Sequence, residues 1–362
     1  MTLKHRRDLD AIAPYRQGPP APQADFPTYK LSSNETPDPP LPSVRRAIAA
    51  GLDTVNRYPA MAAPELVQAL ARRHQVSEDE IVLGAGSVEV ASALIRATAG
   101  AGDEVLFAWR SFEAYPSLTI AAGASPVMVP LTDDLRHDLD AMAAAITERT
   151  ACVFICNPNN PTGTVVGRAE LEAFLDRAPS EVTVVIDEAY YQFDRDPLSP
   201  CGLDCYRRWP NVVVCHTFSK AYGLAGLRLG YAVAPAELAE QARKVAIPFG
   251  VSDLAQRAGL ASLAAEDELT QRIEAIVARR VELERIMAGQ GWRLAPSQAN
   301  FLWWPTGAAT AAAAAVLDRH GLVARVFPGE GVRITVAEVQ AIEPMAAAAA
   351  EIRALLDSQC LA

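Results

Sequence analysis

Between residues 81 and 187 the sequence keeps switching periodicity: short apolar runs rich in β-branched residues alternate with segments of helical spacing. Strands read at 81–83, 104–108, 126–130, 151–156 and 182–187. Helices read at 88–99, from Ser117 onward, at 139–146 and at 168–177, with two more upstream at 43–51 and 64–74. Apolar strands separated by helices predict an α/β fold with a mostly parallel sheet sandwiched by helices. One connection breaks the pattern. Between the strand ending near Thr217 and the run 229–234 there are too few residues for a crossover helix, and a parallel neighbour needs about a dozen or more. Those two strands are predicted to be antiparallel or non-adjacent, which makes the sheet mixed.

The C-terminal third changes character. Residues 253–289 read as helical, long enough for one helix linking two domains, and strands follow at 300–304, 323–327 and 331–336. The alanine runs at 311–315 and 346–350 suit helices, since alanine is the strongest helix former. A smaller α+β domain is expected here. The predicted organisation is an N-terminal arm, 1–32, joining the small domain; a large domain, 33–246; and the small domain, 247–362. The first 42 residues or so are proline-rich and weakly periodic.

Composition narrows the function. The 362 residues, half of them apolar, suffice for a large core, and a spread net charge of −10 argues against nucleic acid or an anionic membrane as partner. No apolar run reaches the roughly 18 residues of a membrane helix. Prolines, not an apolar core, follow the basic start, so no secretory signal is read and a cytoplasmic location is expected. Cys152, Cys156 and Cys215, in apolar strands, and Cys360 near the C-terminus read as buried thiols, not bridges. Cys201 and Cys205, placed in a loop, have no second cysteine or histidine pair nearby, and the histidines never cluster. No metal is expected.

The chemistry collects at strand ends. Strand 81–83 runs into Gly84-Ala85-Gly86-Ser87, strand 151–156 into Asn157-Pro158-Asn159-Asn160-Pro161, and strand 182–187 ends in Asp187-Glu188-Ala189-Tyr190. The run ending at Thr217 carries Ser219-Lys220, with Arg228 just beyond. Open α/β sheets bind ligands at the carboxyl ends of their strands. A glycine-rich turn opening a helix can hold a phosphate, Asp187 can hold a proton on a ring nitrogen, Asn160 and Tyr190 can fix a phenolic oxygen, and Lys220 can form an imine. Pyridoxal 5′-phosphate carries all four complements.

Asn159-Asn160-Pro161-Thr162-Gly163, Asp187-Glu188-Ala189-Tyr190 and Ser219-Lys220 through Gly226-Leu227-Arg228 resemble the signature of fold-type I pyridoxal-phosphate aminotransferases, in order and spacing over nearly the whole chain. Ser32-Ser33-Asn34-Glu35, Arg57-Tyr58-Pro59 and 332–336 resemble the histidinol-phosphate aminotransferase branch. Within it, 109–116 and 296–301 are similar to the aromatic (phenylalanine) aminotransferase subgroup. The resemblance implies that Lys220 binds the coenzyme's aldehyde and moves the proton between Cα and C4′, while Asp187 keeps the ring nitrogen protonated. It implies that Tyr190 and Asn160 hold the phenolic oxygen and that Phe112 stacks on the ring. The backbones of Ser87 and Val88, with Thr217, Ser219 and Arg228, would receive the phosphate. Tyr58 would reach the phosphate of a neighbouring subunit, making a homodimer the active unit. Arg333 would clamp the substrate carboxylate, with Asn34 nearby. Two departures stand out: Thr36-Pro37 replaces a family glycine after Asn34-Glu35, and Val88 replaces a frequent acidic residue.

The expected activity moves an amino group from an aromatic L-amino acid, phenylalanine foremost, to 2-oxoglutarate. Tyr15, Tyr115 and Phe327 are the candidate apolar or aromatic groups at the mouth. The closest alternative is histidinol-phosphate transamination, because Arg325 stands where that branch has an arginine for the substrate phosphate. A pyridoxal-phosphate decarboxylase and a non-enzymatic sensor module are more distant. Arg333 suits retention of the carboxylate, and the chain has no room for a DNA-binding domain.

Overall fold

The computed structural model describes residues 3–14 and 25–359. Tyr15 and Cys360 lie outside the described residues. In chain order the strands are β1 (Tyr29–Lys30), β2 (Ile81–Gly84), β3 (Glu104–Trp109), β4 (Ser125–Pro130), β5 (Thr150–Cys156), β6 (Thr183–Asp187), β7 (Val212–Thr217), β8 (Gly230–Val233), β9 (Phe301–Trp304), β10 (Leu322–Val323), β11 (Arg325–Phe327) and β12 (Gly331–Thr335). Seven of them form one sheet in the order β2-β8-β7-β6-β5-β3-β4. The run from β4 to β7 is parallel, and β8 is antiparallel to both its neighbours. Of the two outcomes that the short link allowed, antiparallel or non-adjacent, β7 and β8 take the first. From Phe218 to Leu229 the chain makes turns and one 3₁₀ turn, Ala225–Leu227, before pairing back.

Both faces of the sheet are covered, and the two-residue period of a strand sorts its side chains between them. Phe107, Phe154, Val185 and Val213 point to one side, packing with the helices Ser87–Thr98 and Ala236–Val245. Leu106, Val153, Ile155, Val184, Ile186 and Val214 point to the other, against Leu171 and Phe174 of the helix Arg168–Arg177. With both faces filled by apolar groups, polar chemistry is left to the strand ends. A separate cluster joins the sheet β11-β12-β9 to the helices Thr310–Arg319 and Ile342–Gln359.

Three sequence expectations change. The single helix over 253–289 is two, Asp253–Leu263 and Glu266–Gly289. Ala265 leaves helical geometry, at φ −121° and ψ 30°, and Glu266-Asp267-Glu268 then open a new N-terminus, where negative charge is favoured. The single strand over 323–327 splits at Ala324: β10 pairs with β1, while β11 pairs with β12 in another sheet. Cys205 is not in a loop but buried in the helix Gly202–Arg208, with the exposed Cys201 at its N-cap.

The first residues touch both halves of the molecule. The Arg6 guanidinium donates to the carbonyls of Ile120 and Ala121 at 2.8 Å, and β1 runs parallel to β10. Among the described residues no helix is long and apolar enough to cross a membrane, and no cluster of three or more His, Cys, Asp or Glu is placed to hold a metal ion.

Phe174 is fully buried beneath the sheet, so Phe174→Ala is expected to lower the unfolding free energy by about 3–5 kcal/mol in urea denaturation. Leu198→Ala, at a side chain 71% exposed, is expected to stay within about 0.5 kcal/mol of the parent. Equal losses at the two sites would contradict this layer assignment.

Candidate active site

Among the described residues, every candidate except Tyr58, Tyr115 and Phe327 lines one cavity of about 760 Å³ at the carboxyl ends of β5, β6 and β7. Tyr15 lies outside the described residues. A larger cleft, about 1070 Å³, lined by Arg136, Arg168 and Arg293 among others, contains none of them. Size does not pick out the site; the convergence of polar groups does.

At one end, β2 turns through Gly86 into the helix Ser87–Thr98. Gly86 has φ +82°, a conformation that favours glycine, and a Cβ there would push the Arg228 guanidinium aside. Arg228 donates to the carbonyls of Ala225 at 3.0 Å and Ala85 at 3.3 Å, and to Ser219 Oγ at 3.4 Å. Glu89, an anion in the first turn, is held by Ala85 N at 2.6 Å and Ile247 N at 3.0 Å. This end combines uncapped helix N–H groups with a guanidinium, the makings of an anion cup.

In the middle sits Asp187, the last residue of β6. Its Oδ2 accepts from Tyr115 Oη at 2.7 Å and its Oδ1 from Ala189 N at 3.2 Å. Burial raises its pKa against the pull of those two bonds. The carboxylate is thus poorly solvated, and a cation placed against it would be welcomed. Tyr115 is a correction to the sequence reading: it is fully buried beneath Asp187, not at the mouth. Its hydroxyl must find a partner once buried, and burial, with Asp187 beside it, pushes its pKa up. Phe112 meets the Tyr115 ring edge-on at 5.5 Å.

Lys220 follows β7. Its Nζ donates to the Ser33 carbonyl at 2.9 Å. Burial, then the charges of Arg333 and Arg228, lower its pKa to about 7, with Glu35 opposing. At neutral pH much of this amine is unprotonated and nucleophilic. Tyr190 accepts from Asn34 Nδ2 at 2.9 Å, and its own pKa is raised by burial.

The far wall comes from the C-terminal sheet. Arg333 is buried, donating Nη1 to Asn160 Oδ1 and Nη2 to Ser32 O, both at 2.6 Å. Asn34, in left-handed geometry at φ 54°, is pinned by Thr335 Oγ1 and by Asn300 Nδ2. Arg325 also lines the cavity, but its fork is engaged by Glu113: Nε to Oε2 at 3.1 Å and Nη2 to Oε1 at 3.0 Å. Phe327 is buried against Trp303, with ring centroids 5.2 Å apart, and is not part of the cavity wall. Tyr58 is on the surface, 83% exposed, with its ring 4.6 Å from that of Phe249.

Comparison with known proteins gives a consistent result. A family model described as aminotransferase class I and II matches residues 27–350. An aromatic amino acid aminotransferase of Streptomyces avermitilis is 54% identical over 338 residues, covering 93% of this chain and 94% of that one. One from Thermobifida fusca is 50% identical over 331 residues, 91% and 92% of the two chains. The crystal structure of a histidinol-phosphate aminotransferase from Sinorhizobium meliloti, in complex with pyridoxal-5′-phosphate, superposes with a TM-score of 0.82 at 30% identity, covering 91% of each chain.

The lowered amine pKa has a kinetic consequence. Condensation of added pyridoxal 5′-phosphate with Lys220 in the coenzyme-free protein, followed by visible absorbance, should quicken as pH rises through about 7 and then level off. Deprotonation makes the nucleophile, so the sign is upward. A rate still climbing in proportion to hydroxide between about pH 8 and 9.5 would mean an ordinary lysine, whose pKa is about 10.4.

Proposed function

The chain belongs to the class I and II aminotransferases, which depend on pyridoxal 5′-phosphate, and from that premise we propose that its amino donor is an aromatic L-amino acid, phenylalanine foremost, with 2-oxoglutarate collecting the amino group. The observation that carries the donor is the likeness to named aromatic amino acid aminotransferases at half identity or better, along more than nine-tenths of each chain. The apolar stretch of the cavity wall, with Val88, Phe112, Ala114 and Leu118, supports it.

The residues fit the coenzyme by their chemistry. Gly86 lets the Arg228 guanidinium approach the backbone where a Cβ would stand, beside the N–H groups of the helix beginning at Ser87. Asp187 is a buried carboxylate whose raised pKa a protonated ring nitrogen would relieve. When bound, the coenzyme supplies an aldehyde to carry the amino group and a ring to absorb the electrons released at Cα. Lys220 would hold that aldehyde at rest and, once freed, is the group placed to move a proton at the substrate Cα. In the coenzyme-free site its pKa is lowered to about 7, which suits a group that acts as base and then as acid near neutrality. Tyr115 and Ala189 N orient Asp187. Tyr190 and Asn160 would hold the phenolic oxygen, with Asn34 fixing the Tyr190 hydroxyl. Thr217, Ser219 and Arg228 would receive the phosphate. Arg333 offers its guanidinium to the α-carboxylate, a planar donor against a planar acceptor.

The second reading, histidinol phosphate as donor, is favoured by Arg325 in the cavity wall and by the superposition on an enzyme of that name. Side-by-side kcat/KM values decide between them. Phenylalanine is expected to exceed histidinol phosphate by at least about tenfold, and a preference for the phosphate ester would overturn the donor assignment.

We also propose a homodimer. Tyr58 and Phe249 bring together two segments that expose Leu52, Val55, Met61 and Ile247, an apolar surface of the kind that marks an interface. Tyr58 then reaches the partner's phosphate cup. Sedimentation is expected to give twice the 38.7 kDa chain mass. Tyr58→Phe is expected to weaken coenzyme binding about tenfold, one lost charge-assisted hydrogen bond, without splitting the dimer. A monomer with full coenzyme affinity contradicts both points.

A further inference from the structure

Arg325 and Arg333 are direct partners in the β11–β12 pair, and both line the cavity. Residues opposite one another in antiparallel strands share a face, so two like charges are set side by side. Among the described residues, Arg333 donates to the neutral oxygens of Asn160 and Ser32. Arg325 meets a carboxylate, in the two-bond fork with Glu113. The pair is only part exposed, with 17% of the Arg325 side chain and 27% of the Glu113 side chain open.

Glu113 is well anchored. It lies between β3 and the helix Tyr115–Ala122, next to Phe112, in a segment tied twice to the C-terminal sheet. The second tie is Arg110, whose Nε and Nη2 donate to Glu330 at 2.8 and 2.6 Å. The Arg110 guanidinium lies 4.7 Å from the centroid of the Trp109 ring.

We propose that Glu113 determines specificity by holding Arg325 in this ion pair, so that the site selects against substrates carrying an anion at the end remote from the reacting carbon. This rests on the aminotransferase reading of the cavity and deepens its donor assignment. A phosphate monoester reaching for Arg325 must displace Glu113 and leave two anionic groups in close approach. A phenyl ring makes no such demand. Glu113 acts through Arg325 and is a positioning residue. 2-Oxoglutarate also has a remote carboxylate and meets the same obstacle, so the residue bears on both halves of the reaction.

The test uses the coenzyme-loaded enzyme and the ratio of kcat/KM for histidinol phosphate to that for phenylalanine. In Glu113→Gln this ratio is expected to rise at least about tenfold, the scale of one charge-assisted pair, with the gain carried by KM and not kcat. KM for 2-oxoglutarate should fall as well. Glu113→Asp, which keeps the charge, should stay near the parent ratio. In the Arg325→Gln background the Glu113→Gln gain should vanish, an outcome that a merely structural role for Glu113 would not produce. An unchanged ratio in Glu113→Gln, a gain that persists without Arg325, or loss of kcat with both donors overturns the proposal. Each ratio is read against the parent enzyme, so it is informative whichever donor that enzyme prefers, and failure of the donor assignment shows separately in the parent's own values.

Discussion

Burial of Asp187 at the end of β6, facing the same cavity as Lys220, is the constraint around which the remaining parts are arranged. Neither group is at ease there: burial raises the carboxyl pKa and lowers the amine pKa. A buried charge persists only where partners compensate for lost water. Tyr115 and the Ala189 amide do so in part for Asp187, and the Ser33 carbonyl does so for Lys220. The remaining deficit is chemically useful. A carboxylate short of a cation and an amine short of a proton suit a positively charged ring bearing an aldehyde. The parallel core makes the placement necessary, because the strands behind these residues are buried on both faces and leave polar groups only their ends.

The site is not the property of the large sheet alone. Ser32, Ser33 and Asn34 form a seam between the two halves. Ser32 O receives Arg333, Ser33 O receives Lys220, and Asn34 reaches Tyr190 while held by Thr335 and Asn300. The C-terminal sheet thus reaches Lys220 through three consecutive residues, 32–34. Hydrogen bonds in one such network are coupled, and a shift at any member is felt by the others.

Much of this was legible locally. A motif at a strand end places its side chains wherever the strand goes, so the sequence alone assigns Asp187, Thr217 and Lys220 to one edge. The short link after Thr217 excluded a parallel neighbour and left an antiparallel or a non-adjacent strand; β8 is the antiparallel one. Contacts between distant residues were not legible. Nothing in the string announces that Tyr115 lies under Asp187, 72 positions away, or that Arg325 is engaged by Glu113, 212 positions away. Breaks inside continuous apolar patterns were hidden too. Residues 264–265 keep alanine's helix propensity yet end a helix, and Ala324 keeps a strand's pattern while the chain changes sheets. Propensity describes a residue, whereas these breaks answer to what packs on either side.

A transaminase must receive two substrates in turn at one site, and the two cavity arginines have the asymmetry that task requires. The α-carboxylate is common to an amino acid and an oxo acid, and it needs a donor available in both halves of the cycle. In the proposed role, Arg333 would meet an incoming carboxylate by exchanging its bonds to the neutral oxygens of Asn160 and Ser32 for charge-assisted ones. Arg325 would have to give up a charged partner, a harder exchange. Two identical side chains on facing strands therefore present different costs to a ligand, set by residues from elsewhere in the chain. A substitution that leaves both arginines in place can still change which substrates the cavity accepts, because the discrimination lies in their partners.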